Sequence, residues 1–181
     1  MEQLNHVIQA ATAAIGDAYI FFPIDGGPAI YRERVYCYEL YHQMRKEWPP
    51  HCDYSLNGEV HKGGHPILGP RGFGNVMPDF LVHRPGPGGM AHNHAIIEVK
   101  GPDVDDEDLE NDLVKLNRFV TLAGYERAIY LFYASRADRD QYWIDRIGGD
   151  VDRLGLIAPI ELWLHRAAGN AAANVQTFRR V

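Results

Sequence analysis

Two short runs, Met77-Pro78-Asp79-Phe80-Leu81-Val82-His83 and His94-Ala95-Ile96-Ile97-Glu98-Val99-Lys100, constrain this chain more than any other part of it. Both are rich in β-branched and aromatic residues. Between them lies Arg84-Pro85-Gly86-Pro87-Gly88-Gly89, a segment that supports only a turn, so the runs are expected to pair as antiparallel strands. Side chains alternate along a strand, which sends Glu98 and Lys100 to one face and Ala95, Ile97 and Val99 to the other, toward a core. Asp79 on the neighbouring strand can lie across from them. Two carboxylates and an ammonium then share a small volume, and oxygen clusters of this kind hold hard divalent cations. A plain surface hairpin with solvated charges is the alternative. It leaves unexplained why both charges interrupt an otherwise apolar strand of the buried type.

Along the rest of the chain the patterns alternate between helix and strand. Leu4, Val7, Ile8, Ala11 and Ala14 recur at helical spacing over Glu2 to Ala14, and Tyr19 to Ile24 is a short apolar run closed by Asp25-Gly26-Gly27-Pro28. Arg32 to Trp48 is expected to be a helix with Cys37, Leu40, Tyr41, Met44 and Trp48 on one face, stopped by Pro49-Pro50. Glu33 falls on that same face, whereas Glu39 lies with His42 and Lys46 on the polar one. Cys52 to Val60 alternates loosely as a first strand, with Glu59 an exposed edge charge. Residues 61–75, with five glycines and two prolines, can form no packed element. Past Gly101-Pro102 a helix from Asp105 to Gly124 carries the stripe Leu109, Leu113, Leu116 and Val120. The continuous apolar run Arg127 to Tyr133 reads as a buried strand in a parallel crossover, then Asp138 to Ile147 as a helix and Ile157 to Leu164 as a last strand.

The chain has 181 residues, 46% of them hydrophobic and 23% charged, which suits a single domain over 1–181 with its own core. Cys37 and Cys52 lack metal-site spacing, and no N-terminal apolar run with a cleavage signal is seen, so a reducing, cytoplasmic setting is expected. No segment is long and apolar enough to span a membrane. His83, His92 and His94 fit no common zinc spacing. The net charge of −6 speaks against a nucleic-acid partner until its distribution is considered. Seven acids fall between Asp103 and Asp112, and elsewhere 17 acids face 18 Lys and Arg. That run is expected to be a solvated helix start favoured by the dipole, with a partner-binding or self-masking patch as the other reading.

Pro78-Asp79 followed on the next strand by Glu98-Val99-Lys100 resembles the signature of the PD-(D/E)XK nuclease superfamily. The order helix, strand, hairpin, helix, strand is that superfamily's core topology, and the resemblance covers about Tyr31 to Ala134. It implies an α/β fold of the α+β type: a restriction-endonuclease-like core in which a central mixed sheet with an antiparallel hairpin is flanked by helices. The implied activity is Mg²⁺-dependent hydrolysis of phosphodiester bonds in DNA, Mn²⁺ being able to substitute, by an endonuclease of restriction, repair or mobile-element type. Asp79, Glu98 and the Val99 carbonyl would hold the metal at about 2.1 Å from oxygen, and Lys100 would orient water and stabilise phosphoryl charge. Glu33 would complete the shell, as the corresponding helix in that fold often lends a Glu, although helix-terminus electrostatics also accounts for it. Lys62, His65 and Arg71, in the glycine-rich loop before the Asp79 strand, are placed to touch a phosphate backbone, or else are incidental bases of a mobile loop. Lys115 either pairs with Asp112 on its own helix or reaches toward the scissile phosphate. Cutting both strands of a duplex favours a homodimer. A non-cleaving nucleic-acid- or protein-binding module on the same fold, and a ribonuclease, are the competing readings.

Overall fold

A computed structural model describes residues 1, 3–59, 72, 76–86 and 89–179. The elements, in chain order, are α1 (Leu4–Ala13), α2 (Asp17–Ile20), α3 (Glu33–Lys46), β1 (Ser55–Gly58), β2 (Phe80–His83), β3 (Asn93–Lys100), α4 (Asp106–Ala123), β4 (Arg127–Tyr133), α5 (Asp140–Arg153), β5 (Ile160–His165) and β6 (Ala173–Phe178). The six strands form one mixed sheet in sequence order, with helices on both faces. β1, β2 and β3 pair antiparallel, β3, β4 and β5 are parallel neighbours joined through α4 and α5, and β6 closes the far edge antiparallel. The expected hairpin and the expected crossover are therefore both present. Among the described residues no helix is long and apolar enough to cross a membrane.

Strand alternation sorts the core into two layers. Ala95, Ile97 and Val99 of β3 and Ile129, Leu131 and Tyr133 of β4 pack with α1 and α3. Ile96 of β3 and Ala128, Tyr130 and Phe132 of β4 pack with α4 and α5. A strand buried on both faces has no polar side to show, which is why β4 reads as an unbroken apolar run. Burying two such layers supplies most of the driving force for folding.

Helix ends follow local chemistry. Asp105 caps α4 by accepting from the Asp108 amide at 2.8 Å, and Gly124 ends it in the left-handed conformation at φ 70°, where a Cβ would also come within 3.0 Å of Met90. The acidic run is a largely solvated helix start, with Asp103, Asp105, Asp106, Glu107 and Asp108 exposed, and Asp106 and Glu110 pair with Arg146 and Arg153 of α5 at 2.9 and 2.6 Å.

Several boundaries differ from expectation. The first strand is shorter than Cys52 to Val60, because Glu59 takes φ 44° and turns the chain out of the sheet. The second begins at Phe80, which leaves Met77, Pro78 and Asp79 in the approach to it. α5 starts at Asp140 and runs on to Arg153, β5 begins only at Ile160, and Ile157 is exposed. β6 carries no strong apolar alternation of its own; pairing with β5 makes it a strand.

Tyr36 is fully buried on α3, stacks on Tyr133 at 4.2 Å and places its hydroxyl 2.8 Å from Nδ1 of His165 on β5. Burial holds the His165 pKa down to about 4, so the imidazole is neutral and can accept the phenol proton. This bond ties α3 across the sheet. Tyr36→Phe leaves a buried ring nitrogen without that partner and is expected to cost about 1–2 kcal/mol in denaturant unfolding; an unchanged midpoint would show the bond to be dispensable.

Candidate active site at the β2–β3 edge

Asp79, Glu98 and Lys100 meet at one end of the sheet. The reason is register: Phe80 pairs with Ile97 in an antiparallel ladder, so the residue before Phe80 falls beside the residue after Ile97. Asp79 is locked there by its Oδ2, which accepts from the Val99 amide at 2.7 Å. Glu98 is only 2% exposed and Lys100 half-buried, both on the face covered by α4.

Two further elements complete the cluster. From the first turn of α3, the Glu33 carboxylate accepts from Lys100 Nζ at 3.2 Å. Glu39, by contrast, bonds Gln43 along its own helix at 2.6 Å, and Glu59 pairs with Arg34 at the exposed edge at 3.4 Å. From α4 come Asp112 and Lys115. Lys115 Nζ donates to Glu98 Oε2 and to Asp112 Oδ1, each at 2.9 Å. The other oxygen of Asp112 lies 3.3 Å from Lys100 Nζ and 3.4 Å from the Tyr130 hydroxyl. A continuous chain results, Glu33 to Lys100 to Asp112 to Lys115 to Glu98, with Asp79 alongside.

Asp112 is the residue that sequence reasoning missed. Grouped with the acidic run it looked solvated, yet it is 5% exposed and bridges both lysines. The signal was its spacing: with Leu109, Leu113 and Leu116 it belongs to the buried face of α4. Lys115 is correspondingly drawn inward to two carboxylates, with about a fifth of its side chain exposed.

Four carboxylates against two ammoniums give a site poor in positive charge. Burial, with the charges of Asp79 and Asp112 added, pushes the Glu98 carboxyl well above its ordinary range in spite of Lys115. Asp79 is also raised by burial, against the pull of the Val99 amide and both lysines, and Glu33 is raised by burial against Lys100. Burial opposes the charge on Lys100, but Asp112, Glu33 and Asp79 outweigh it and push its pKa up. Lys115 is raised in the same way by Glu98 and Asp112. The Cys37 thiol, facing the cluster from α3, is held well up by burial and then by Asp79, Glu33 and Glu98. It is therefore no nucleophile at neutral pH.

The donor set suits a hard cation. Glu98 Oε1 is buried with no hydrogen-bond partner among the described residues, and an orphaned carboxylate oxygen in a carboxylate-rich pocket is what a divalent ion would satisfy. Among the described residues no three His, Cys, Asp or Glu side chains converge as a ready cage. Mg²⁺ does not need one, since it commonly takes one or two carboxylates and keeps several waters.

Lys62, His65 and Arg71 lie outside the described residues. His94 sits at the other end of β3, where its Nδ1 meets Glu126 at 2.7 Å. Comparison with family models, with curated proteins and with solved structures gave no significant match.

The raised Glu98 carboxyl has a consequence for stability. The native state holds that proton more tightly than the unfolded chain, so the cost of ionising Glu98 is absent below the ordinary value of 4.5 and grows as pH rises. Glu98→Gln without divalent metal is expected to raise Tm by a few degrees near about pH 8 and to leave it unchanged near about pH 4. A variant less stable than the parent near the higher pH would contradict this account.

Proposed function

We propose that this protein is a metal-dependent nuclease that hydrolyses phosphodiester bonds in DNA, with Asp79, Glu98 and Lys100 at its centre. The observation that carries the reading is the convergence of those three groups on adjacent strands, with one oxygen of Glu98 buried and unsatisfied. The order α3, β1, β2, β3, α4, β4 supports it as well, being that of the restriction-endonuclease-like core which the sequence resembles.

Asp79, Glu98 and the Val99 carbonyl would hold Mg²⁺ or Mn²⁺, with Glu33 bound to the neighbouring Lys100 at 3.2 Å as the proposed further ligand. Bound there, the ion supplies Lewis acidity toward a phosphate oxygen and a more acidic water. The protein's own groups do the rest. Asp79 is held in one orientation by the Val99 amide, so the carboxylate is preorganised before substrate arrives. Lys100 stays protonated because acids surround it, which makes it a donor and a fixed positive charge for phosphoryl oxygens and unsuited to act as a base at neutral pH. Asp112 and Glu33 set its position from two sides. Lys115 partly offsets the charge of Glu98 and keeps the carboxylate cluster from flying apart without metal.

One feature favours the reading as a non-cleaving module: both lysines are each tied to two carboxylates, as in a closed structural network. Two measurements separate the readings. Isothermal titration with Mg²⁺ is expected to show a site that Asp79→Ala abolishes; equal binding by the variant would put the metal elsewhere. Lys100→Met is expected to fold, to keep its metal and to cut DNA on the order of a hundredfold more slowly than the parent. Cleavage at the parental rate would remove Lys100 from the chemistry.

A further inference from the structure

Two cavities border the acid cluster, one at Asp79 and the other at Lys100 and Glu33, and aromatic residues line both. The larger, of about 320 Å³, is lined by Tyr38, Tyr41, Asn57 and Phe80, and Asp79 forms part of its wall. Tyr41 and Phe80 lie near-parallel at 6.2 Å, and among the described residues Tyr38 is 61% exposed. The smaller, of about 170 Å³, is lined by Tyr31, Tyr133, Asp103 and Asp108, with Glu33 and Lys100 in its wall. Tyr31 is steadied there by Phe21 at 4.9 Å and Tyr133 at 6.3 Å, and Tyr133 in turn stacks on the buried Tyr36. Each cavity thus shares its wall with a different part of the cluster, Asp79 for one and Lys100 with Glu33 for the other.

We infer that these cavities receive unpaired bases of a single DNA strand, one on each side of the phosphodiester that passes over Asp79 and Lys100. The inference rests on the nuclease reading and narrows its substrate to single-stranded or locally unpaired DNA. Two lines of chemistry support that occupant. Phe80 and Tyr133 are almost fully buried, so the exposed Tyr38 and the half-buried Tyr41 and Tyr31 offer the ring surface for stacking, which every base can use and a paired base inside a duplex cannot reach. Asp103 and Asp108 repel phosphate but accept hydrogen bonds from exocyclic amino groups, so charge turns the strand with its bases inward and favours cytosine or adenine over thymine in the smaller cavity. A single-stranded substrate also needs only one active site, which removes the reason to expect a homodimer.

The test measures fluorescence anisotropy of labelled twelve-base oligonucleotides, single-stranded and as a duplex, with Lys100→Met protein in Mg²⁺ so that turnover is slow against the binding measurement. Tyr38→Ala, a change at an exposed position, and Tyr31→Leu are each expected to weaken single-strand binding about tenfold while barely moving duplex binding, and Tyr38→Phe to restore it. An oligo-dC strand should bind more tightly than oligo-dT, and Asp103→Asn with Asp108→Asn should narrow that gap. Single-strand affinity that ignores both tyrosines, or a preference for duplex, overturns the inference. Parental cleavage assays run alongside keep the two claims apart. Cutting without tyrosine dependence leaves the nuclease reading standing and sinks the cavities' role, whereas tyrosine-dependent single-strand binding in a protein that cuts nothing supports the cavities and sinks the nuclease reading.

Discussion

The arrangement of this site depends on a charge imbalance held inside the protein. Glu98 and Asp112 are nearly removed from solvent, Asp79 and Glu33 crowd beside them, and only Lys100 and Lys115 oppose four carboxylates. In a medium of low polarity such repulsion is expensive, and the buried carboxyls answer by holding protons more tightly. A protein selected for stability alone would fill this space with apolar side chains. That the imbalance persists, with a carboxylate oxygen left unsatisfied, is the physical argument for a role in binding a cation.

Everything around the cluster fixes its members in place. β2 and β3 hold Asp79 and Glu98 in register, α3 brings Glu33 to Lys100, and α4 brings Asp112 and Lys115 over the same face. Gly101 lets the chain leave β3 directly beneath Tyr133, whose hydroxyl would sit 2.9 Å from any Cβ at that position. The strand therefore ends immediately after Lys100, and the smaller cavity opens at that point. The same contacts that order the lysine shape the space next to it.

Charge and stacking divide the recognition problem. The acids proposed to hold a cation would also repel a phosphate backbone, and the acidic balance of the chain does not help a duplex to approach. In the proposed single-strand binding, the aromatic residues lining the two neighbouring cavities would supply the attraction that charge withholds.

The sequence by itself determined the hairpin, the crossover and the pairing of Glu98 with Lys100 on one face, because strand alternation and turn composition are local rules that need no knowledge of distant residues. It also put Glu33 on the face of α3 that meets the cluster, since helical spacing decides that too. Only the tertiary structure decided that Asp112 is buried between two lysines, that Lys115 turns inward to Glu98, and that β6 is a strand at all. Those outcomes depend on which helix covers which stretch of sheet. An acid in a row of acids looks solvated until packing closes over it, and a weakly patterned edge segment becomes a strand when a neighbour offers its free backbone groups.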